Sequence, residues 1–198
     1  IVTKVGNDAW GDLGEKWMSD AGVDCSFLYR SDDVSTGTGL VMIDDEGNNT
    51  IIDGEGSGRF LTPEEVIAAI DGIAGATHLI TGFEIPEKLA ILGLKHAKEK
   101  GMITVLNPSP LPEEDYDDLS FVDYLFVNEL EGRTLLHEDE DIDDETILRE
   151  LHEHLGVKTT VMTLGKNGYC FLEDGRYVVK PGIKVDNVKT TAGAGDGF

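Results

Sequence analysis

Apolar positions recur along this chain with two periods, and the places where one period gives way to the other mark out the elements. Residues 1–5 read as the end of a strand. Between Asp8 and Ala21 the residues Trp10, Leu13, Trp17, Met18 and Ala21 share one helical face, so both tryptophans are expected to pack inward. From Ser26 to Ile52 the character changes to strands. Residues 38–43 and 50–52 flank the polar turn Asp44-Asp45-Glu46-Gly47-Asn48-Asn49 and predict a β-hairpin. Thr62-Pro63-Glu64-Glu65 then combines a cap, an N1 proline and early acids, the signature of a helix start. Beyond it strand and helix alternate: strands at 77–81, 103–106, 124–127 and 159–163, helices at 86–100, 129–136 and 145–155. Residues 169–172 and 177–179, joined by Glu173-Asp174-Gly175, predict an antiparallel hairpin at the sheet edge.

Short apolar strands separated by amphipathic helices imply a mainly parallel sheet covered on both faces. Ligands bind such sheets where strand C-termini open into loops. Polar candidates gather at those ends: Glu84, Asn107, Asn128, Glu131, Thr163, Gly165 and Gly168. Each also has a plain reading as a turn or cap residue, and Asn128 fits a helix N-cap as well as a ligand contact. The pattern divides the chain into an α/β core at 1–25 and 53–198 and a small β excursion at 26–52. The acidic run from His137 to Asp144 reads as a solvated loop.

Charge narrows the partners. Sixteen Lys and Arg stand against 39 Asp and Glu in 198 residues, a formal charge of −23 that repels nucleic acid and anionic membranes. Acid spread along the whole chain suits a cytoplasm of high salt, where screening limits self-repulsion, although an ordinary acidic protein remains the alternative. Neither a membrane-length apolar run nor an opening signal peptide is present, so a cytoplasmic protein is expected. Cys25 and Cys170 lack metal or redox spacing and read as free thiols.

The last residues carry the sharpest chemistry. In Gly193-Ala194-Gly195-Asp196 the small residues let successive backbone NH groups converge on one anion, and a following helix would add its dipole. Asp196, directly after this hole, is placed to accept a proton from an alcohol beside a bound phosphoryl group. A plain glycine-rich turn is the alternative for this tetrapeptide alone.

With these residues in view, the chain resembles the ribokinase or PfkB family of carbohydrate kinases. Gly193-Ala194-Gly195-Asp196 matches the C-terminal signature, Asn128-Glu129-Leu130-Glu131 the N-x-x-E motif, and Thr163-Leu164-Gly165-Lys166-Asn167-Gly168 the T-L-G-x-x-G loop. Phe83-Glu84-Ile85-Pro86 and Leu106-Asn107-Pro108-Ser109-Pro110 look more narrowly like the ribokinase branch. The resemblance implies a three-layer α/β sandwich with a mainly parallel central sheet, and makes residues 26–52 a small β lid over the sugar. It implies ATP-dependent phosphorylation of a sugar CH₂OH, D-ribose first, with fructose, 2-keto-3-deoxygluconate or a nucleoside as alternatives. Asp196 would be the base and residues 193–195 the anion hole. Asn128 with Thr163, Leu164, Gly165, Lys166, Asn167 and Gly168 would hold ATP. Glu131 would join the Mg²⁺ and phosphate network indirectly, and Glu84 would contact the sugar.

Three departures qualify the match. Thr190 stands where the family signature carries the residue that helps bind a monovalent cation, so a K⁺ site is expected to be weak. The N-terminal sugar-binding Gly-Gly segment and the adenine-contacting loops after the signature are absent, so these 198 residues alone are expected not to be a competent kinase. A nucleotide-binding remnant without catalysis is the rival reading. The lid, apolar on both faces, is expected either to close over its own site or to pair with a second copy as a homodimer.

Overall fold

The computed structural model describes residues 1–44, 49–138 and 142–184 together with Gly193, Gly195, Gly197 and Phe198. It divides into two compact units, one of Ile1–Leu61 with Lys184–Phe198 and one of Thr62–Ile183.

In the first unit, strand β1 (Val2–Gly6) leads through helix α1 (Ala9–Asp20) to strand β2 (Phe27–Ser31), which pairs with β1 in parallel. Residues 27–31 therefore pair with β1, and the hairpin itself is β3 (Thr38–Ile43) with β4 (Asn49–Gly54). Asp8 organises this unit. Its carboxylate caps α1 by accepting from the Gly11 NH and also accepts from the Thr36 NH and hydroxyl, both at 2.8 Å. Those bonds, the Thr36 NH first, hold the Asp8 carboxyl below its ordinary range.

The tryptophans correct the sequence reading. Trp10 and Trp17 are 62% and 64% exposed, and Gly11 is the buried residue of α1. A Cβ at Gly11 would stand 2.3 Å from the Gly6 carbonyl, so the helix meets β1 through its smallest residue. At about 100° per residue both indoles lie roughly 100–120° around the helix from that contact.

The second unit opens with α2 (Pro63–Gly72), capped reciprocally by the Thr62 side chain on the Glu65 NH and the Glu65 side chain on the Thr62 NH. There follow β5 (His78–Gly82), α3 (Glu87–Glu99), β6 (Ile103–Asn107), β7 (Tyr124–Asn128), α4 (Glu129–Leu136), α5 (Asp144–Leu155), β8 (Thr159–Thr163), β9 (Tyr169–Glu173) and β10 (Arg176–Lys180). The sheet order is β10-β9-β8-β7-β6-β5, parallel from β5 to β8 and antiparallel through β9 and β10. The last hairpin turns on two residues, Asp174 and Gly175, both at positive φ, because Glu173 still pairs with Arg176.

Strand alternation decides what is buried. Leu106, Leu125, Val127, Met162 and Cys170 point to one face, where they form a single core with Leu94 of α3, Leu135 of α4 and Ile147, Leu148 and Leu151 of α5. A Cβ on Gly93 of α3 would touch Val66 and Ile70 of α2 and Leu79 of β5, which puts α2 on that side too. Cover on both faces was the expectation; within this unit the helices gather on one. Sequential strand order with right-handed crossovers and no reversal requires that outcome. The other face carries Ile80, Val105, Phe126, Val161, Phe171 and Val178, with Ile80 73% exposed.

Candidate active site

The C-terminal ends of β5 to β8 are laced together by bonds that the strand ladder does not supply. Gly82 pairs with Asn107 and Asn128 with Thr163. The Phe83 NH donates to the Ser109 carbonyl at 2.9 Å, the Asn107 Nδ2 to the Phe126 carbonyl at 2.9 Å, and the Thr163 hydroxyl to the Val127 carbonyl at 3.4 Å. A side chain at Gly82 would press on the Asn107 and Ser109 carbonyls, at 2.8 and 3.2 Å from its Cβ. Glycine there lets the loop after β6 fold against the end of β5, beside the exposed Glu84.

Asn128 and Glu131 start α4 as a reciprocal pair. The Asn128 Oδ1 accepts from the Glu131 NH and the Glu131 carboxylate accepts from the Asn128 NH, both at 2.8 Å. Of the two readings kept open for Asn128, the N-cap is therefore real, and it leaves the amide NH₂ as a donor for a ligand. Glu131 is buried. Burial raises its carboxyl above the ordinary range, against the opposing pull of the Asn128 NH and the Ser109 hydroxyl. Asn128, Glu129, Leu130 and Arg133 line a cavity of about 400 Å³ beside this cap.

The loop from Thr163 to Gly168 is built from special backbone. Leu164 accepts from the Asn167 NH and donates to the Gly168 carbonyl, and a 3₁₀ turn spans Gly165–Asn167. Gly165 has φ +54° with open space where a Cβ would stand. Gly168 has φ +105°, and its Cβ would lie 2.0 Å from the Lys180 carbonyl. The Gly182 NH closes the loop on the Asn167 carbonyl at 3.2 Å. Lys166 and Asn167 are exposed, and Leu164 and Gly168 are half-buried.

Thus Glu84, Asn107, Asn128, Glu131 and the Thr163–Gly168 loop share one sheet edge. Gly193 and Gly195 belong to the other unit. There Gly193 has φ +76°, and the Gly197 NH donates to the Gly193 carbonyl at 3.1 Å, the closure of one helical turn. Ala194, Asp196 and Thr190 lie outside the described residues.

Three contributors escaped the sequence reading. Glu87, in the first turn of α3, accepts from the Glu113 NH at 2.6 Å and also holds the Glu114 NH and the Tyr116 hydroxyl, so it pins the loop after β6. Nothing local links it to residues 26–29 places further on. Gly182 packs on the Thr163–Gly168 loop from outside it, and Arg133 follows Glu129 by one helical turn. The helical spacing from the N-x-x-E motif is the one local signal that could have found Arg133.

The chain belongs to the pfkB family of carbohydrate kinases, whose model matches residues 1–198. Among curated proteins, a ribokinase of Staphylococcus aureus (strain COL) is 32% identical over 201 residues, covering 100% of this chain and 65% of its own length. A deoxyribokinase of Salmonella typhi is 25% identical over 201 residues with the same coverage of 100% and 65%. A solved ribokinase from Thermotoga maritima superposes with a TM-score of 0.83 at 27% identity, covering 98% of this chain and 63% of that one. The fold is therefore the ribokinase-like α/β fold. The chain spans just under two thirds of the length of these relatives.

Proposed function

We propose that the protein containing this chain is an ATP-dependent sugar kinase that phosphorylates a sugar CH₂OH, with D-ribose yielding ribose 5-phosphate. The observation that carries the reading is the laced strand edge, where one family's sugar-side and nucleotide-side motifs stand on adjacent strands. Ribokinase relatives support the choice of ribose, and the deoxyribokinase makes 2-deoxyribose the first competitor.

In this reading Glu84 accepts hydrogen bonds from sugar hydroxyls. Gly193, Ala194 and Gly195 turn backbone NH groups toward the transferring phosphoryl group, and Asp196 accepts the proton of the attacking hydroxyl as the γ-phosphorus gains the sugar oxygen and ADP departs. The Asn128 NH₂ and the open backbone from Thr163 through Lys166 and Asn167 to Gly168 bind phosphate and nucleotide. The Asn128 NH₂ and the exposed Lys166 side chain are donors that suit an anion, and Glu131 adds a carboxylate beside Asn128. Mg²⁺, carried with the nucleotide, would neutralise the phosphate charge, and Glu131 would meet its hydration shell. A K⁺ site depends on the segment at Thr190. The hairpin exposes Leu40 and Met42 on one face and Val41 and Ile43 on the other, which supports pairing with a second copy, as a cytoplasmic homodimer.

The test is ADP release by the full-length protein across D-ribose, 2-deoxy-D-ribose, D-fructose, 2-keto-3-deoxygluconate and a nucleoside. We expect D-ribose to give the highest kcat/KM, and Asp196→Asn to lower kcat by roughly 10² to 10⁴ with little change in nucleotide affinity. Preference for another acceptor would replace ribose. Nucleotide binding without turnover on any acceptor would leave a catalytically silent binding protein.

A further inference from the structure

A second cavity, of about 340 Å³, lies where α5 covers the β8–β9 edge, at the end of β8 opposite Thr163. Its walls combine two leucines, Leu148 and Leu172, with Thr160, His152, Lys158 and Asp174. None of these belongs to the motifs at the strand C-termini.

Thr160 is the informative residue. It is 7% exposed, and its hydroxyl has no hydrogen-bond partner among the described residues. A buried hydroxyl left unpaired is disfavoured, and valine would fill the same space without that penalty. The neighbouring groups in the wall keep hydrogen-bonding capacity. The His152 Nδ1 lies 2.8 Å from the Val157 carbonyl. A carbonyl can only accept, so Nδ1 carries the proton and Nε2 is left as an acceptor in the neutral ring. Lys158 is 71% exposed and stands 3.5 Å from Asp123, whose carboxylate is held more closely by Lys98 at 2.7 Å. Its ammonium keeps donors for a ligand. Asp174, on the β9–β10 turn, supplies the opposite charge.

We propose that this cavity binds a small aliphatic α-amino acid. The carboxylate would accept from the Thr160 hydroxyl and Lys158, the ammonium would donate to Asp174 and the His152 Nε2, and the side chain would lie against Leu148 and Leu172. The volume holds a leucine-sized molecule with a few ordered waters, each taking about 30 Å³. Both charges on one apolar body match both charges in the wall. A simple anion would meet Asp174 without compensation, and a simple amine would meet Lys158.

The experiment titrates the full-length protein with L-leucine, isovalerate and isoamylamine, following ligand saturation-transfer NMR and the backbone amide shifts of residues 158–160 and 174–175. L-Leucine is expected to bind in the millimolar range, and the acid and the amine at least about fivefold more weakly, the loss of one charge-assisted contact. Thr160→Val should remain folded, with unchanged or higher Tm, yet weaken L-leucine by roughly five- to tenfold. Lys158→Met, at an exposed position, should weaken it comparably and guards against a folding defect in the first variant. Absence of binding by all three probes at 20 mM-scale concentrations, roughly the upper end of the weak range, would overturn the proposal. So would equal binding of isovalerate, or full L-leucine binding by Thr160→Val, which would make the hydroxyl the seat of an ordered water alone.

Discussion

Glu131 caps α4 in the fold and, in the proposed function, joins the phosphate and Mg²⁺ network; a single substitution can separate the two roles. As a cap it needs only an acceptor for the Asn128 NH; in a phosphate and Mg²⁺ network it needs its charge. Glu131→Gln keeps the acceptor and removes a charge whose burial already raises the carboxyl. We expect stability in urea to change by no more than about 1 kcal/mol, since the capping acceptor stays and the Ser109 hydroxyl can turn to accept from the new amide. Turnover of the full-length protein should fall at least tenfold. Unchanged turnover would confine Glu131 to its cap. Asp123 makes a contrasting case at the other end of the sheet. Burial would raise its carboxyl, but Lys98 at 2.7 Å and the NH and hydroxyl of Thr104 outweigh burial and hold it at about 2. The folded value lies below the unfolded one, so its contribution is complete above about pH 4 and fades as pH falls toward 2. With Lys98 partly solvated, we estimate on the order of 1–2 kcal/mol. Urea melts between pH 5 and 2.5 should show a shallower loss for Asp123→Asn than for the parent protein.

Among the elements, the loop after β8 shows best how sequence and packing divide the work. Its glycines look alike in the motif but differ in the fold. Gly168 combines φ +105° with a Cβ position 2.0 Å from the Lys180 carbonyl, whereas Gly165 has φ +54° and open space. Gly168→Ala therefore meets backbone strain and a clash together and should destabilise by about 2–4 kcal/mol. Gly165→Ala faces only the left-handed conformation, about 1–2 kcal/mol. Denaturant midpoints of the two variants test the ranking, and an equal loss would show that the loop relaxes away from residues 180–182. The helix starts were legible from local sequence because both capping boxes close within four residues: Thr62 with Glu65, and Asn128 with Glu131. The tryptophan face of α1 was not, since periodicity tells which residues share a side but not which side meets a strand. Gly11 settled that through its approach to the Gly6 carbonyl.

For the whole molecule the charge of −23 sets the conditions of folding. Repulsion between exposed carboxylates falls as the screening length shortens from about 10 Å at 0.1 M salt to about 3 Å at 1 M. We expect Tm to rise as KCl increases from low to molar levels, with NaCl and choline chloride giving rises of similar size. A sharp millimolar optimum with K⁺ alone would instead place a specific cation site near the segment that contains Thr190. The second unit gives a structural counterpart to this surface. Its helices cover one face of the sheet, because four parallel strands added in one direction return every crossover to the same side.

Sequence by itself determined the alternation of strand and helix, the helix caps, the acidic surface and the gathering of Glu84, Asn107, Asn128 and the Thr163–Gly168 loop at strand ends. These properties rest on interactions within a few residues or on sums over the chain, both of which can be read along a line. Tertiary structure alone decided the pairing of Phe27–Ser31 with β1, the gathering of the second unit's helices on one face of its sheet, the outward tryptophans, the hold of Glu87 on residues 113–116 and the close approach of Gly168 to Lys180. Each depends on which distant backbone comes within a few ångströms, and a linear pattern of side chains leaves that undetermined.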